Sequence, residues 1–183
     1  PLQYVLGHTS FCGMDLYVSR GVLIPRPETE ELCYIIRSRG YLLPGATSID
    51  LCTGSGAIAL FMAKCGAKVE AIDLSPHAIS LAEKNIHLNG VEIDLQRADL
   101  FDAHFSPKCQ QYDLVVSNPP YVLNKERKEI EPHVLETEPE MALFVPDDNP
   151  ILFYRRIKEL YNNSKVLAFE INPLCVGELR ELF

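Results

Sequence analysis

Asn118, Pro119, Pro120 and Tyr121 follow one another, and their types suit one task closely: holding a planar amide for alkylation at nitrogen. An amide nitrogen is a poor nucleophile because its lone pair is delocalised into the carbonyl. A site must therefore grip both N–H bonds so that the remaining lobe faces the incoming carbon. The Asn118 side-chain oxygen and the Pro119 carbonyl can accept those two hydrogens. Each proline holds the residue before it extended, which aims both acceptors, and neither adds an N–H that would compete for them. Tyr121 can lay an aromatic face on the flat group. A Pro-Pro turn closing a strand is the plainer alternative, and a cofactor loop upstream favours the catalytic reading.

That loop is Asp50-Leu51-Cys52-Thr53-Gly54-Ser55-Gly56. Its two glycines let a backbone turn sharply and approach a ligand without a Cβ in the way. A lone G-x-G is a weak signal, shared with any tight strand-to-helix turn. It gains weight from Asp73, which ends the next strand where an acid can hold both ribose hydroxyls. Farther on, Asp99 can accept from an adenine amine while Leu100 and Phe101 flank the ring; an aspartate capping its own loop explains that segment as well. The set points to a nucleoside cofactor, bound by Cys52, Thr53, Gly54, Ser55, Gly56, Asp73, Asp99, Leu100 and Asn118. A dinucleotide is disfavoured because Ala59 stands where its fingerprint needs a third glycine.

These residues need a scaffold, and the pattern supplies one. Strands are expected at Thr47–Cys52, Lys68–Asp73, Val91–Arg97, Tyr112–Ser117 and Lys165–Ile171. Helices are expected over residues 28–38, Ala57–Lys64, Pro76–Leu88 and Ile151–Tyr161. The near-continuous apolar run from Tyr112 suits a strand covered on both faces. Alternation of this kind implies right-handed crossovers and a parallel sheet. The expected fold is therefore α/β, a doubly wound, mostly parallel Rossmann-like sheet with helices on both faces. Residues 1–27 read as a short β-hairpin and linker, with extended pieces at Leu16–Ser19 and Gly21–Ile24. Residues 28–183 read as the catalytic domain. The charged segment Asn124–Glu140 reads as a solvated loop with a short helix, or as a wall beside the substrate.

Composition narrows the function. With 17 Lys and Arg against 25 Asp and Glu, the net charge is −8, which disfavours general nucleic-acid affinity. The six cysteines are scattered without a C-x-x-C pair and the five histidines are isolated, so no metal is assigned. The pattern of separate thiols suits a cytoplasmic protein. The longest apolar run, Ala57–Ala63, is too short to span a bilayer. The chain opens at Pro1 without a leader and reads as a processed or truncated piece.

Several segments together resemble the release-factor glutamine methyltransferases: Ile24-Pro-Arg-Pro-Glu-Thr-Glu30, the Asp50 to Gly56 loop with Ala57-Ile-Ala-Leu60, Asp73, Ser117-Asn-Pro-Pro-Tyr121, and Glu138-Pro139 with Ala142-Leu143. The Asn-Pro-Pro-Tyr tetrapeptide is shared with other amino-methyltransferases; the Ile24 to Glu30 segment is more specific. The resemblance implies methyl transfer from S-adenosylmethionine, leaving S-adenosylhomocysteine, to the glutamine of the Gly-Gly-Gln loop of class I peptide-release factors. It implies cofactor contact by Cys52–Gly56, Asp73, Leu100 and Asn118, with Asn118–Tyr121 also holding the glutamine. The release factor is then the partner, and neither a membrane nor direct nucleic-acid binding is expected. Cys52 departs from the family, which has glycine there. The family's helical N-terminal domain and last strands also have no counterpart in the chain. A ribosomal-protein glutamine, or a DNA or RNA amino group gripped in a basic groove, stands as the alternative target. A non-catalytic nucleotide sensor would need the glycine loop and not the tetrapeptide.

Overall fold

Most of the short apolar runs are followed by a helix, the kind of crossover that lets successive strands pair in parallel. The computed structural model describes residues 1–109 and 111–183. In chain order the elements are α1 (Leu2–Leu6), β1 (His8–Phe11), β2 (Met14–Tyr17), α2 (Pro27–Ser38), β3 (Thr47–Leu51), α3 (Ala57–Lys64), β4 (Lys68–Asp73), α4 (Pro76–Asn89), β5 (Asp94–Arg97) and β6 (Leu114–Ser117). There follow β7 (Val122–Leu123), a 3-10 turn at Asn124–Glu129, α5 (Pro132–Thr137), α6 (Glu140–Leu143), β8 (Phe144–Val145), α7 (Leu152–Tyr161), β9 (Leu167–Phe169), a 3-10 turn at Pro173–Cys175 and α8 (Val176–Leu182).

The main sheet has the order β5-β4-β3-β6-β9, and every neighbouring pair in it is parallel. The winding runs outward from β3 through β4 and β5, then returns to β6 and β9. At that reversal, between β3 and β6, a crevice opens at the carboxyl ends of the strands. Both faces are covered. Along β6, Leu114 and Val116 pack with Leu60 and Met62 of α3, whereas Val115 packs with Ile157 and Tyr161 of α7. The β1–β2 hairpin is antiparallel, and its Phe11, Met14 and Leu16 join the α3 side of the core. The expected architecture, sheet and hairpin alike, is what the chain forms.

Details differ for local reasons. The third strand of the winding starts at Asp94 rather than Val91 because Val91 is spent ending α4. Its N–H reaches the Ile86 carbonyl and that of Gly90, in the left-handed conformation, reaches His87, which is a Schellman closure. Gly21–Ile24 forms no strand and lies as a loop. β7 and β8 pair in parallel, Val122 with Phe144 and Leu123 with Val145, and two residues apiece are too few to show a period. Segment 124–143 thus joins the two strands of a small separate sheet, carrying α5 and α6.

Gly56 stands at the head of α3 with φ of 84°, and a Cβ on it would lie 3.3 Å from the Ala82 Cβ of α4. Gly56→Ala should therefore destabilise the fold by about 1–2 kcal/mol from the left-handed backbone alone, with crowding adding to it. Urea unfolding checks this, and an unchanged midpoint would show that the loop escapes the constraint.

Candidate active site

The strand registers set four side chains in one row. Leu51 is paired with Ile72 and with Ser117, and Ser117 with Phe169. The next residue on each strand is Cys52, Asp73, Asn118 or Glu170. The first three line a cavity of about 420 Å³ at the crevice, a size suited to a small ligand, and Glu170 stands beside Asn118 off its wall.

One wall is the glycine turn, with Cys52, Thr53, Gly54 and Ser55 on the cavity. Buried Asp50 anchors it: one carboxylate oxygen accepts from the Thr53 hydroxyl at 2.5 Å and from the Ala59 amide at 3.1 Å. The other oxygen has no partner among the described residues. Burial is the main cause that pushes this carboxyl up to about 7, against the lowering effect of those two hydrogen bonds. Cys52 adopts φ of 59°, so the turn does require the left-handed conformation for which glycine is suited. Gly56 is not on the cavity wall; it serves the α3–α4 packing described above.

Asp73 lines the cavity and ties two loops together. Its oxygens accept from the Gly54 and Ser75 amides, both at 2.8 Å. Burial raises its pKa, and these amides oppose the shift. Each oxygen keeps a lone-pair direction for a ligand hydroxyl. Next to it Asp99, Leu100 and Phe101 reach the cavity together with Phe153 of α7. The Phe101 and Phe153 rings meet edge to face at 5.1 Å. Arg156 donates to the Leu100 carbonyl at 2.6 Å, and Asp99 accepts from the Phe101 amide. The result is an apolar slot beside a carboxylate.

Opposite the glycine turn stand Asn118 and Pro120. The Asn118 side-chain NH2 donates to the Thr29 hydroxyl at 3.1 Å, and its Oδ1 accepts from none of the described residues. Pro119 is buried and, like Tyr121, is absent from the cavity walls. Tyr121 packs with Leu123 and Tyr154 and donates its hydroxyl to Glu170 at 2.8 Å. Burial and then the Glu170 charge push its pKa up, which keeps the proton on the phenol.

The segment after Tyr121 forms a wall: Pro139, Met141, Ala142 and Phe144 face the cavity. Arg26 holds it through Glu138 at 2.6 Å, with the Glu138 side chain fully buried. Sequence reading missed Thr29, Asp50, Phe153, Glu170 and Asn172 as site residues. Glu170 and Asn172 follow the last strand, so the rule applied to the other strand ends would have pointed to them. Asn172 donates to the Tyr121 carbonyl at 3.1 Å and to Glu126 at 2.7 Å, pinning the turn after the tetrapeptide. Among the described residues no group of three or more His, Cys, Asp or Glu is placed to hold a metal, and no helix is long and apolar enough to cross a membrane.

Residues 41–141 match the family model described as methyltransferase small domain. A release factor glutamine methyltransferase from Flavobacterium psychrophilum is 45% identical over 191 residues, which cover 100% of this chain and 66% of that protein. One from Bacteroides thetaiotaomicron is 45% identical over 179 residues, 94% of this chain and 63% of that protein. The chain thus spans just under two thirds of the length of these relatives. Among solved structures, the ribosomal protein L11 methylase of Lactobacillus delbrueckii subsp. bulgaricus superposes with a TM-score of 0.56 at 23% identity, covering 90% of this chain and 71% of that one. That likeness is one of fold.

The buried carboxyl of Asp50 makes stability depend on pH. Its folded pKa of about 7 lies above the unfolded value of 3.8, so the folded state keeps a proton that the unfolded state has released. Stability from this group therefore falls as pH rises through the window between those values. Asp50→Asn, which cannot titrate, should lose less stability than wild type when denaturant midpoints at about pH 5 and about pH 8 are compared. Parallel pH profiles for the two proteins would show that Asp50 is not protonated in the fold.

Proposed function

Because the chain belongs to the methyltransferase small domain family, we propose that it methylates the side-chain amide nitrogen of a glutamine, that of the Gly-Gly-Gln loop of class I peptide-release factors, using S-adenosylmethionine. The observation that carries the reading is the position of Asn118. Asn118 lines the same cavity as the glycine turn and Asp73, and its NH2 is turned to Thr29, which leaves Oδ1 free to accept. The relatives of 45% identity supply the target, since both are named for release-factor glutamine. Such a target also makes the release factor the partner and the cytoplasm the site of action.

The residues present fit the proposed cofactor. The Leu100 and Phe153 slot beside Asp99 would take the adenine, Asp73 the ribose hydroxyls, and the Cys52–Ser55 turn the amino-acid end; all of these residues line the one cavity. When bound, S-adenosylmethionine supplies an electrophilic methyl carbon whose leaving group is a neutral thioether. Asn118 Oδ1 receives an amide hydrogen of the glutamine and helps set its nitrogen lobe, whereas Pro119, off the cavity wall, is given no hydrogen to hold. Fixing that orientation removes much of the entropic barrier to bringing the partners together. The same oxygen stabilises the positive charge that grows on nitrogen. The apolar wall of Met141, Ala142 and Phe144 keeps water from the reacting atoms. No general base is required, because the alkylated nitrogen is a strong acid and sheds its proton afterwards; the histidines need no role.

Incubation with labelled cofactor and, separately, a release factor, ribosomal proteins and nucleic acids tests the target. Mass spectrometry should find the methyl group on the Gly-Gly-Gln glutamine. Label on a ribosomal protein or a nucleic acid alone would overturn the assignment. Asn118→Ala should slow turnover about a hundredfold or more with little change in melting temperature; near-normal turnover would remove its catalytic role. Asp73→Ala loses the ribose acceptor and also frees the Gly54 and Ser75 amides, so calorimetry should record cofactor affinity weaker by about tenfold or more. Unchanged affinity would exclude Asp73 from the site.

A further inference from the structure

Asn118 can present either end of its carboxamide to the cavity, and only one end can accept a substrate hydrogen. A chain of three polar groups decides which. Glu170, the residue after β9, accepts the Thr29 hydroxyl on Oε2 at 2.7 Å and the Tyr121 hydroxyl on Oε1 at 2.8 Å. Thr29, buried in the first turn of α2, in turn accepts from Asn118 Nδ2 at 3.1 Å. A carboxylate can only accept, and a hydroxyl has a single hydrogen to give. Thr29 spends that hydrogen on Glu170, so toward Asn118 it offers lone pairs alone. The amide must then turn its NH2 to Thr29 and its oxygen away.

We propose that Glu170 and Thr29 are positioning residues for methyl transfer: through a one-way hydrogen-bond relay they orient the Asn118 oxygen toward the substrate amide. The inference rests on the amide-methylating role given to Asn118 above. The backbone favours the same outcome. The Glu170 amide donates to the Ser117 carbonyl at 3.2 Å, and the Tyr154 hydroxyl donates to the Glu170 carbonyl at 2.9 Å. Glu170 is thereby held one residue past the Ser117–Phe169 pair, level with Asn118. Neither Thr29 nor Glu170 exchanges an atom or a proton with the substrate; they act through Asn118 and Tyr121. Replacing Glu170 by glutamine keeps the shape and puts a donor where only acceptors stood. The relay can then run in reverse, with Thr29 donating to the Asn118 oxygen.

The test uses the protein with S-adenosylmethionine and a class I release factor as methyl acceptor. Thr29→Val and Glu170→Gln should each lower kcat about tenfold to a hundredfold, whereas Thr29→Ser, which keeps the hydroxyl, should stay within about threefold of wild type. Cofactor affinity by calorimetry should be unchanged in all three. Wild-type kcat in either Thr29→Val or Glu170→Gln overturns the relay, as does a loss of rate matched by a loss of cofactor affinity. If Glu170→Gln fails to fold, judged by its melting transition, the Thr29 pair alone decides. If the wild-type protein leaves the release factor unmethylated, the functional reading falls, and the relay is then judged by the Asn118 side-chain NH2 resonances. Their displacement in Thr29→Val and retention in Thr29→Ser supports it; identical resonances in both overturn it.

Discussion

Register between parallel strands is the constraint on which the site depends. Leu51, Ile72, Ser117 and Phe169 form one paired row across β3, β4, β6 and β9, and the Ser117 hydroxyl donates to the Leu51 carbonyl at 2.6 Å across the central pair. One residue further along, the strands deliver Cys52, Asp73, Asn118 and Glu170 to a common level. A slip of one residue in any strand would turn its side chains to the opposite face. Because Leu114 and Val116 of β6 are buried on one face and Val115 on the other, a slip would also move each of them against the wrong helices. The core thus enforces the alignment that the cavity uses.

Polar groups buried around that row carry a cost that the fold meets unevenly. Glu170 and Asn172 have their hydrogen bonds filled by neighbours from distant elements. Asp50 and Glu138 each keep one buried oxygen without a partner among the described residues. Burial without full pairing raises the pKa of both carboxyls, as expected when desolvation outweighs the available donors. Asp50 is nevertheless the anchor of the glycine turn. An apolar residue there would leave the Thr53 hydroxyl and the Ala59 amide without their acceptor. The turn therefore needs an acceptor at that depth even at some cost in stability.

How far the sequence foretold this depended on the range of each signal. The sheet and its helices were legible because each element is written in a continuous run, as in Val69–Ile72 or Ala57–Met62. The tetrapeptide from Asn118 and the acid at Asp73 were legible because they follow such runs directly. The resemblance drawn from these segments agrees with relatives of 45% identity. Glu170 was legible only as a residue following a strand: its partner Thr29 lies 141 positions away, so nothing local to it announced the link to Asn118. Tyr121 read as a face for the substrate, whereas its hydroxyl is committed to Glu170. Cys52 stood out against the glycine of the family, and its φ of 59° explains that preference while showing that a thiol side chain can be carried there.

The segment from Ile24 to Glu30 was the most specific part of the resemblance although it precedes the first strand of the sheet, and the contacts give a physical reason. Each of three polar side chains in it secures a different part of the site. Arg26 pairs with Glu138 and holds the wall that follows the tetrapeptide. Thr29 joins Asn118 to Glu170. Glu30 accepts from the Cys12 amide at 2.5 Å and fixes the β1–β2 turn. Pro27 starts α2 where its missing N–H costs nothing, so the helix begins at a defined residue, with Arg26 extended at its N-cap and Thr29 and Glu30 in its first turn. A shift of one residue along the helix would rotate Thr29 and Glu30 by about 100° and break both of their links. The motif is therefore a strap across the crevice, and its spacing is set by the distances it must bridge rather than by contact with the reacting atoms.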